Sequence, residues 1–571
     1  MRKIVNFIIL NILVFACFLV CASATAPNPD LRVGLYYDTT AMISANLQNK
    51  VGYGYRLGYY NNMDQFISVW EINSTNKITM AKDANLYYAD SKFYATNETG
   101  NARSLGAYHV QFDLGYQTAQ LALAASNDML SKGVPCFVSY INGMYYLRTG
   151  AYATESAAST AALQYINYGS TSVVGEDFTC VTVYNTDTGA ILFEFDYGVS
   201  SPLAVYPSLG EVEDPLTWFK GYQYYGAFEY VRNGGNISVI NRVPMQEYIK
   251  GVVPYEMSAS WPIEALKAQA MCARTYAYSN FGKHGSNFDI CATTHCQVYH
   301  GANSASENSD RAVNETYGQY ILYDGEPINA VFHSSNGGAT EDSENVWGSK
   351  VPYLRGVYDP HEDLDRATNG RWTFDYTPLE LQSILTAKGY ETALITDAYV
   401  SEYTAMGNVK SITFVDANGK KLVFSKERAR TIINSSSLKK YTHSQRFTIT
   451  KDGKAPDNGQ ENLGTPLFVN NSFNKIYPAT SNVSVITGSG AIGYGAKDKL
   501  YVQTANGKEA VSFVKEVVQT PSTSKAGYFT FTGTGWGHNV GLSQNGALAM
   551  ANKGYTAEEI VKFYYTGVSI T

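Results

Sequence analysis

Gly251-Val-Val-Pro254-Tyr255-Glu256-Met257-Ser-Ala-Ser-Trp261-Pro262-Ile-Glu264-Ala-Leu-Lys267-Ala-Gln-Ala-Met271-Cys272-Ala-Arg274-Thr-Tyr276 contains the most strongly helical run of the chain. Its reading decides how the surrounding sequence is arranged. The run predicts a helix from Pro262 to Asn280, because Pro262 and Glu264 suit a first turn: a missing N–H is harmless there and an acid faces the positive end of the dipole. Ala265, Leu266, Ala268, Ala270, Met271, Cys272 and Ala273 are apolar or small on every side, which predicts a buried rather than an amphipathic helix. Lys267 and Arg274 break the pattern. Seven residues apart, they share a face at a separation of about 10 Å, and buried cations persist only with partners, so they point to a cleft floor. Glu256, between Tyr255 and Met257 in a loop ahead of the helix, is expected to be partly desolvated, which raises a carboxyl pKa and fits a general acid for glycosidic cleavage. The alternative is a glutamate that accepts backbone N–H bonds at the helix start.

Outward from this helix the 571-residue chain reads as β-rich, giving an α+β fold class. With 46 tyrosines and 25 phenylalanines against 17 prolines, it suits strands and flat-faced ligands such as sugars. A net charge of -7 leaves no excess of cations for phosphates, so nucleic acid is not an expected partner. Residues 1–26 have the form of a signal peptide: Arg2 and Lys3, an apolar run from Ile8 to Val20, then small residues at cleavage spacing. The expected location is therefore extracytoplasmic, secreted or held at the cell wall, with contact to membrane only through an uncleaved signal. Residues 27–104 alternate as short strands, and hairpin cues recur at Asn233-Gly234-Gly235-Asn236, Asn418-Gly419 and Asp452-Gly453. Lys451 to Gly464 reads as a polar surface loop.

Residues 105–170 follow a strand, helix, strand, strand, helix order, and Tyr145 to Thr154 carries Tyr-x-Leu-Arg-x-Gly-x-Tyr-x-Thr. This segment resembles the sporulation-related repeat (SPOR) family, a small α+β, ferredoxin-like fold. The resemblance implies binding of peptidoglycan glycan strands without stem peptides. Tyr108, Phe112, Tyr140, Tyr145 and Tyr146 are its candidate glycan-binding residues, forming an aromatic platform for pyranose faces; the alternative is that alternate members belong to the core.

Three further blocks accompany the quoted stretch within residues 171–571: Cys291-Ala-Thr-Thr-His295-Cys296-Gln297-Val298-Tyr299, then Phe332-His333-Ser334-Ser335-Asn336-Gly337-Gly338, and Gly535-Trp536-Gly537-His538-Asn539-Val540-Gly541-Leu542-Ser543-Gln544. Together they closely resemble the stage II sporulation protein D (SpoIID) family and its relative, the amidase enhancer LytB. The resemblance implies a β-rich catalytic domain with few helices and a lytic transglycosylase. Such an enzyme cuts the bond between N-acetylmuramic acid and N-acetylglucosamine of peptide-stripped strands and leaves 1,6-anhydromuramyl ends. Glu256 stands at the family's catalytic glutamate, and Lys267 and Arg274 at helix positions associated with activity. His333, Ser334, Trp536, His538 and Gln544 are candidate substrate contacts. The rival functions are a non-catalytic enhancer that presents glycan to a cell-wall amidase, and a wall-binding protein. A hydrolase would need a second carboxylate, for which Glu264, Asp289, Glu341 and Asp342 are candidates.

Five cysteines follow the signal, too few for a disulfide framework. Cys136 and Cys272 read as small buried hydrophobes. Cys291 and Cys296, with His284 upstream and His295 between, suit one tetrahedral zinc corner; since relatives carry zinc through one His and two Cys, His284, Cys291 and Cys296 are the expected ligands of a structural zinc. A small disulfide is the alternative. No other cofactor is expected. Ser543 is expected to cap a helix ending near Gly554, and Thr556 with Glu559 to form a capping box.

Overall fold

The computed structural model describes residues 28–97, 100–208, 216–367, 370–452 and 527–571, together with the backbone of six short strands between residues 467 and 510. Residues 1–26 and all but the first two residues of the 451–464 stretch lie outside the described residues. Many strands and few helices make an α+β fold. The chain divides into two compact units, one of Met1–Ser258 with Asn280–Gly318, the other of Ala259–Ser279 with Gln319–Thr571. This division cuts across the expected segments 27–104, 105–170 and 171–571, and it runs through the quoted stretch, leaving Glu256 in the first unit and the following helix in the second.

The first unit is built on two large sheets. A seven-stranded sheet places Asp30–Tyr36 between Ile290–Cys291 and Ser238–Pro244, and continues through Ala227–Val231, Leu203–Pro207, Tyr55–Tyr60 and Phe66–Ile72. The Asn233 to Asn236 turn joins two of these strands as the glycine and asparagine content predicts. Side chains alternate inward, Leu31 and Val33 being fully buried. Trp70 of this sheet stacks on Phe193 of the second sheet, ring centroids 5.5 Å apart, so aromatic area closes the core between them.

The second sheet contains the 105–170 segment. Its elements arrive in the expected order: β1 (Tyr108–Tyr116), α1 (Ala119–Ser131), β2 (Phe137–Ile141), β3 (Met144–Tyr152) and α2 (Glu155–Ala162). Thr118 and Thr154 cap the two helices by accepting N–H bonds from Leu121 and Ala157. The sheet does not stop at residue 170. β4 (Thr171–Val174) pairs with β1, and β5 (Ile191–Asp196) pairs in parallel with β2. Buried charge crosses the same seam: Glu194 on β5, fully buried, lies 2.8 Å from Arg148 of β3 and 3.0 Å from His109 of β1. Burial alone would raise the Glu194 carboxyl, but His109 and Arg148 hold it down, near about 2. Asp83 nearby is pushed up to about 7 by burial and by Glu194.

α3 (Met245–Glu256) closes the first unit's sequence before the division. In the second unit α4 (Ile263–Ser279) is buried along twelve of its residues, as its alanine-rich composition predicts. It packs on α5 (Gln544–Asn552) and α6 (Ala557–Tyr564). The caps match expectation: Ser543 accepts the Gly546 N–H, and Thr556 and Glu559 form a capping box. Glu264 ties the helices together by accepting the Ala557 N–H at 2.7 Å. A separate aromatic core, including Trp372, Tyr376, Phe414, Phe424, Phe447 and Phe531, fills the space around the remaining sheets.

Candidate active site

Glu256 is the last residue of α3, not a loop residue ahead of the next helix, because the run from Met245 continues through Pro254 and ends only where Met257 turns extended. Pro254, in the final turn, lacks the N–H that would bond the Lys250 carbonyl, and the helix ends two residues later. Glu256 is half-buried, and its Oε1 accepts the Val298 N–H at 3.0 Å. The strip carrying Val298 is pinned on both sides. Tyr248 of α3 donates to Gln297 at 3.0 Å, and Tyr299 donates to Asn241 at 2.7 Å, both within the interior. Tyr255 meets His300 edge-on at 5.1 Å, and His300 stacks on Tyr222 at 4.6 Å. Desolvation keeps the His300 imidazole below its ordinary pKa. In the sequence Val298 stood in the Cys291 to Tyr299 block without a role of its own, and His300, just after that block, was not singled out.

Upstream of that strip, His284, Cys291, His295 and Cys296 turn their donor atoms to within 4.8 Å of one another. Cys296 Sγ is 3.5 Å from His284 Nε2 and 3.6 Å from His295 Nδ1, and Cys291 Sγ is 3.7 Å from the same His295 nitrogen. Cys291 and Cys296 are not bonded to each other here. A hydrogen bond from Cys296 draws the Cys291 thiol down to about 3, while the same contact pushes Cys296 up, so the pair shares one proton. Two thiols and two imidazoles are a donor set that fits a tetrahedral soft metal. His295 joins the expected three because a turn, Cys296 N–H to Thr293 C=O at 3.0 Å, folds the loop back on Cys291. Gly34 is required beside it: a Cβ there would meet the Phe288 ring at 2.6 Å, and Phe288 stacks on His284 at 4.5 Å.

The other expected site residues lie in the second unit. Lys267 bonds Glu264 at 3.0 Å, and Arg274, 2% exposed, donates to the Gln319 carbonyl at 3.4 Å. His333 is buried on a short parallel pair with Leu542–Ser543, its Nδ1 donating to the Val540 carbonyl at 3.1 Å. The Val540 N–H in turn donates to His538 Nδ1 at 3.1 Å. Burial, then Arg430, depresses His538 to about 4. Gly537 lets this turn approach, since a Cβ there would meet His333 at 2.6 Å. Ser334 is half-buried with its carbonyl accepting from Asn545, Gln544 is buried, and Trp536 is exposed.

Phe112, Tyr140 and Tyr145 are buried, which corrects the expected five-ring platform. Phe112 packs toward Tyr165, and Tyr145 donates its hydroxyl to the Val69 carbonyl at 2.8 Å. Tyr108 and Tyr146 are half-exposed, but strand alternation and the register of β1 with β3 set them on opposite faces. The four spare carboxylates are engaged internally: Glu264 with Lys267, Asp289 with the Arg32 and Gly282 amides, Glu341 with Thr404 and Asn408, and Asp342 with Arg355.

Residues 233–323 match the family model described as stage II sporulation protein, SpoIID. The chain is 30% identical over 323 residues to a protein named amidase enhancer of Bacillus subtilis, covering 57% of this chain and 40% of that protein. It is 26% identical over 350 residues to stage II sporulation protein D of Bacillus subtilis, 58% of this chain and 76% of the other. An uncharacterized protein of Brachyspira hyodysenteriae is 40% identical over 149 residues, 26% of this chain. The chain thus spans about two fifths of the length of the amidase enhancer and of the Brachyspira protein.

Proposed function

We propose that this SpoIID-domain chain is a peptidoglycan lytic transglycosylase, cutting peptide-stripped glycan between N-acetylmuramic acid and N-acetylglucosamine with Glu256 as the one acid and base. The observation that carries this reading is the setting of Glu256. It is half-buried at the C-terminal end of α3, and its Oε1 accepts the fixed Val298 N–H at 3.0 Å, a contact that can hold the carboxylate once the proton has been given up. One carboxyl suffices for the reaction: it protonates the leaving oxygen, then takes the proton of the muramyl C6 hydroxyl as the anhydro ring closes. The engagement of Glu264, Asp289, Glu341 and Asp342 in internal bonds agrees with a mechanism that needs no second carboxylate. Lys267, Arg274, His333, Ser334, Trp536, His538 and Gln544 are assigned substrate contact or support in the second unit. The 105–170 segment is assigned glycan binding, through the face that bears Tyr146.

The donor set of the loop fits zinc, held by His284, Cys291 and Cys296 with His295 as fourth donor. The ion would supply a structural closure, fixing the loop that presents Val298 two residues beyond Cys296. The site of action is extracytoplasmic, at the cell wall. A second reading, a non-catalytic enhancer that presents glycan to a cell-wall amidase, is favoured by the relative named amidase enhancer. Mass analysis of peptide-free glycan treated with the purified protein separates the two: new anhydromuramyl ends support the enzyme, and intact strands with a stimulated amidase support the enhancer.

A further inference from the structure

The hairpin of Thr217–Phe219 and Tyr222–Tyr224 turns through Lys220 and Gly221, both at positive φ. Its tip is fixed to the chain that follows Tyr299. The Ala302 N–H donates to the Gln223 carbonyl at 2.7 Å, the Gln223 N–H to the Asn303 side-chain oxygen, and the Asn303 amide to the Gly221 carbonyl at 3.1 Å. Gly301 permits this approach, because a Cβ there would run into the Gln223 carbonyl. Tyr222 therefore lies flat on His300, ring centroids 4.6 Å apart and planes 12° apart, while Tyr255 meets the same imidazole edge-on at 5.1 Å. Burial, then Tyr36, Tyr222 and Tyr255, raise the phenol of Tyr224, so Tyr222 and Tyr255 share that neighbour as well.

All three rings belong to the first unit and flank Glu256. Tyr255 precedes it in the last turn of α3, and His300 lies two residues beyond Val298, whose N–H the Glu256 carboxyl accepts. Each ring is half-exposed. Among the described residues no hydrogen bond engages the Tyr222 hydroxyl, the Tyr255 hydroxyl or either ring nitrogen of His300, and no Lys or Arg stacks on them. Desolvation favours the neutral imidazole, which offers one N–H and one lone pair. A stacked pair of rings with open polar edges suits a ligand that is apolar on its face and carries donors and acceptors at its rim, as a pyranose does. A carboxylated sugar would find no cation at these rings and would lie beside the Glu256 carboxyl, so charge selects a neutral unit.

We propose that Tyr222, His300 and Tyr255 form the subsite for the neutral N-acetylglucosamine unit next to the bond that Glu256 cuts, its apolar face on the aromatic rings and its acetamido group bonded at His300. The sugar class rests on the proposed function, while the binding itself does not require Glu256 to be the acid. The test titrates the full chain by calorimetry with two β-1,4 tetraoses, one of N-acetylglucosamine and one of glucose, and follows the ring ¹⁵N resonances of His300. Tyr222→Ala, Tyr222→Phe, His300→Ala and His300→Gln are compared, each with its thermal midpoint; His300→Gln, which keeps polar atoms but loses the ring, replaces His300→Ala if that variant does not fold. The acetylated tetraose is expected to bind more tightly than the glucose one and to shift the His300 resonances. Loss of either ring should weaken it roughly threefold to tenfold, and Tyr222→Phe by less. No binding of the acetylated tetraose at millimolar concentration, unmoved His300 resonances, or binding unchanged by loss of both rings overturns the subsite. If the binding pattern holds and the wild type makes no anhydromuramyl ends, the transglycosylase reading fails and the subsite stands. If the ends form at the wild-type rate in Tyr222→Ala and His300→Ala, the subsite fails and that reading stands.

Discussion

At the residue scale the proposed chemistry rests on Glu256, the last residue of α3, whose Oε1 accepts the Val298 N–H. Glu256→Gln preserves size and the Val298 contact but removes the proton. It is expected to lower glycan cleavage at least 10²-fold, the usual cost of losing general acid-base catalysis, with an unchanged circular dichroism spectrum; near-normal turnover would remove the assignment. Glu362 makes a different residue-level prediction. Burial, then repulsion from Asp359, pushes its carboxyl up to about 8, against roughly 4.3 when unfolded. The folded state therefore holds a proton that the unfolded state has released between these values. Stability is full below about 4.3, falls as pH rises through the window by up to ~1.4 kcal/mol per unit, and levels off above about 8. Denaturation midpoints across this range should show the decline in the wild type and a flatter profile in Glu362→Gln.

Elements set the next two expectations. Because β2 pairs with β5 and Arg148 forks between Gln111 at 3.0 Å and Glu194 at 2.8 Å, the 105–170 segment is welded into the first unit's sheet. Arg148→Met leaves Glu194 with one cationic partner fewer and should cost about 3–5 kcal/mol, while Arg148→Lys recovers only part because a point charge cannot make both bonds. Urea unfolding followed on the first unit's tryptophans measures this, and a cost below ~1 kcal/mol would show that the seam is not stabilised by this pair. The loop from His284 to Cys296 carries the other expectation. Elemental analysis should find one zinc per chain, lost in Cys291→Ser and in Cys296→Ser, and chelation should lower the thermal midpoint of the first unit. A metal-free protein indifferent to chelator would leave the four donors as a hydrogen-bonded cluster.

For the whole molecule, the reaction itself is the observable. If the muramyl C6 hydroxyl is the nucleophile, digestion of peptide-free glycan in ¹⁸O water gives anhydromuramyl ends without label. Labelled reducing ends would mean that water attacks and that a second carboxylate has to be sought among the spare acids. The relatives named amidase enhancer and stage II sporulation protein D align with 57% and 58% of this chain. The family match at residues 233–323 covers both Glu256 and the four-donor loop.

Much of this was legible in the sequence wherever the cause is local. The buried α4, the caps at Ser543 and Thr556 and the order of elements in the 105–170 segment all follow from side chains acting within about four residues of themselves. The motif residues Glu256, Cys291 and Cys296 stood out by type and spacing. What only the tertiary structure decided depends on pairing across the chain. Val298 reaches Glu256 from 42 positions away, and Glu194 meets Arg148 from 46. The burial of Tyr140 and Tyr145, the place of His295 among the donors and the exposure of Trp347 belong to the same class. Alternation along a strand tells which side chains share a face, but which face is covered is set by the sheet or helix that packs there, and no local propensity encodes that neighbour.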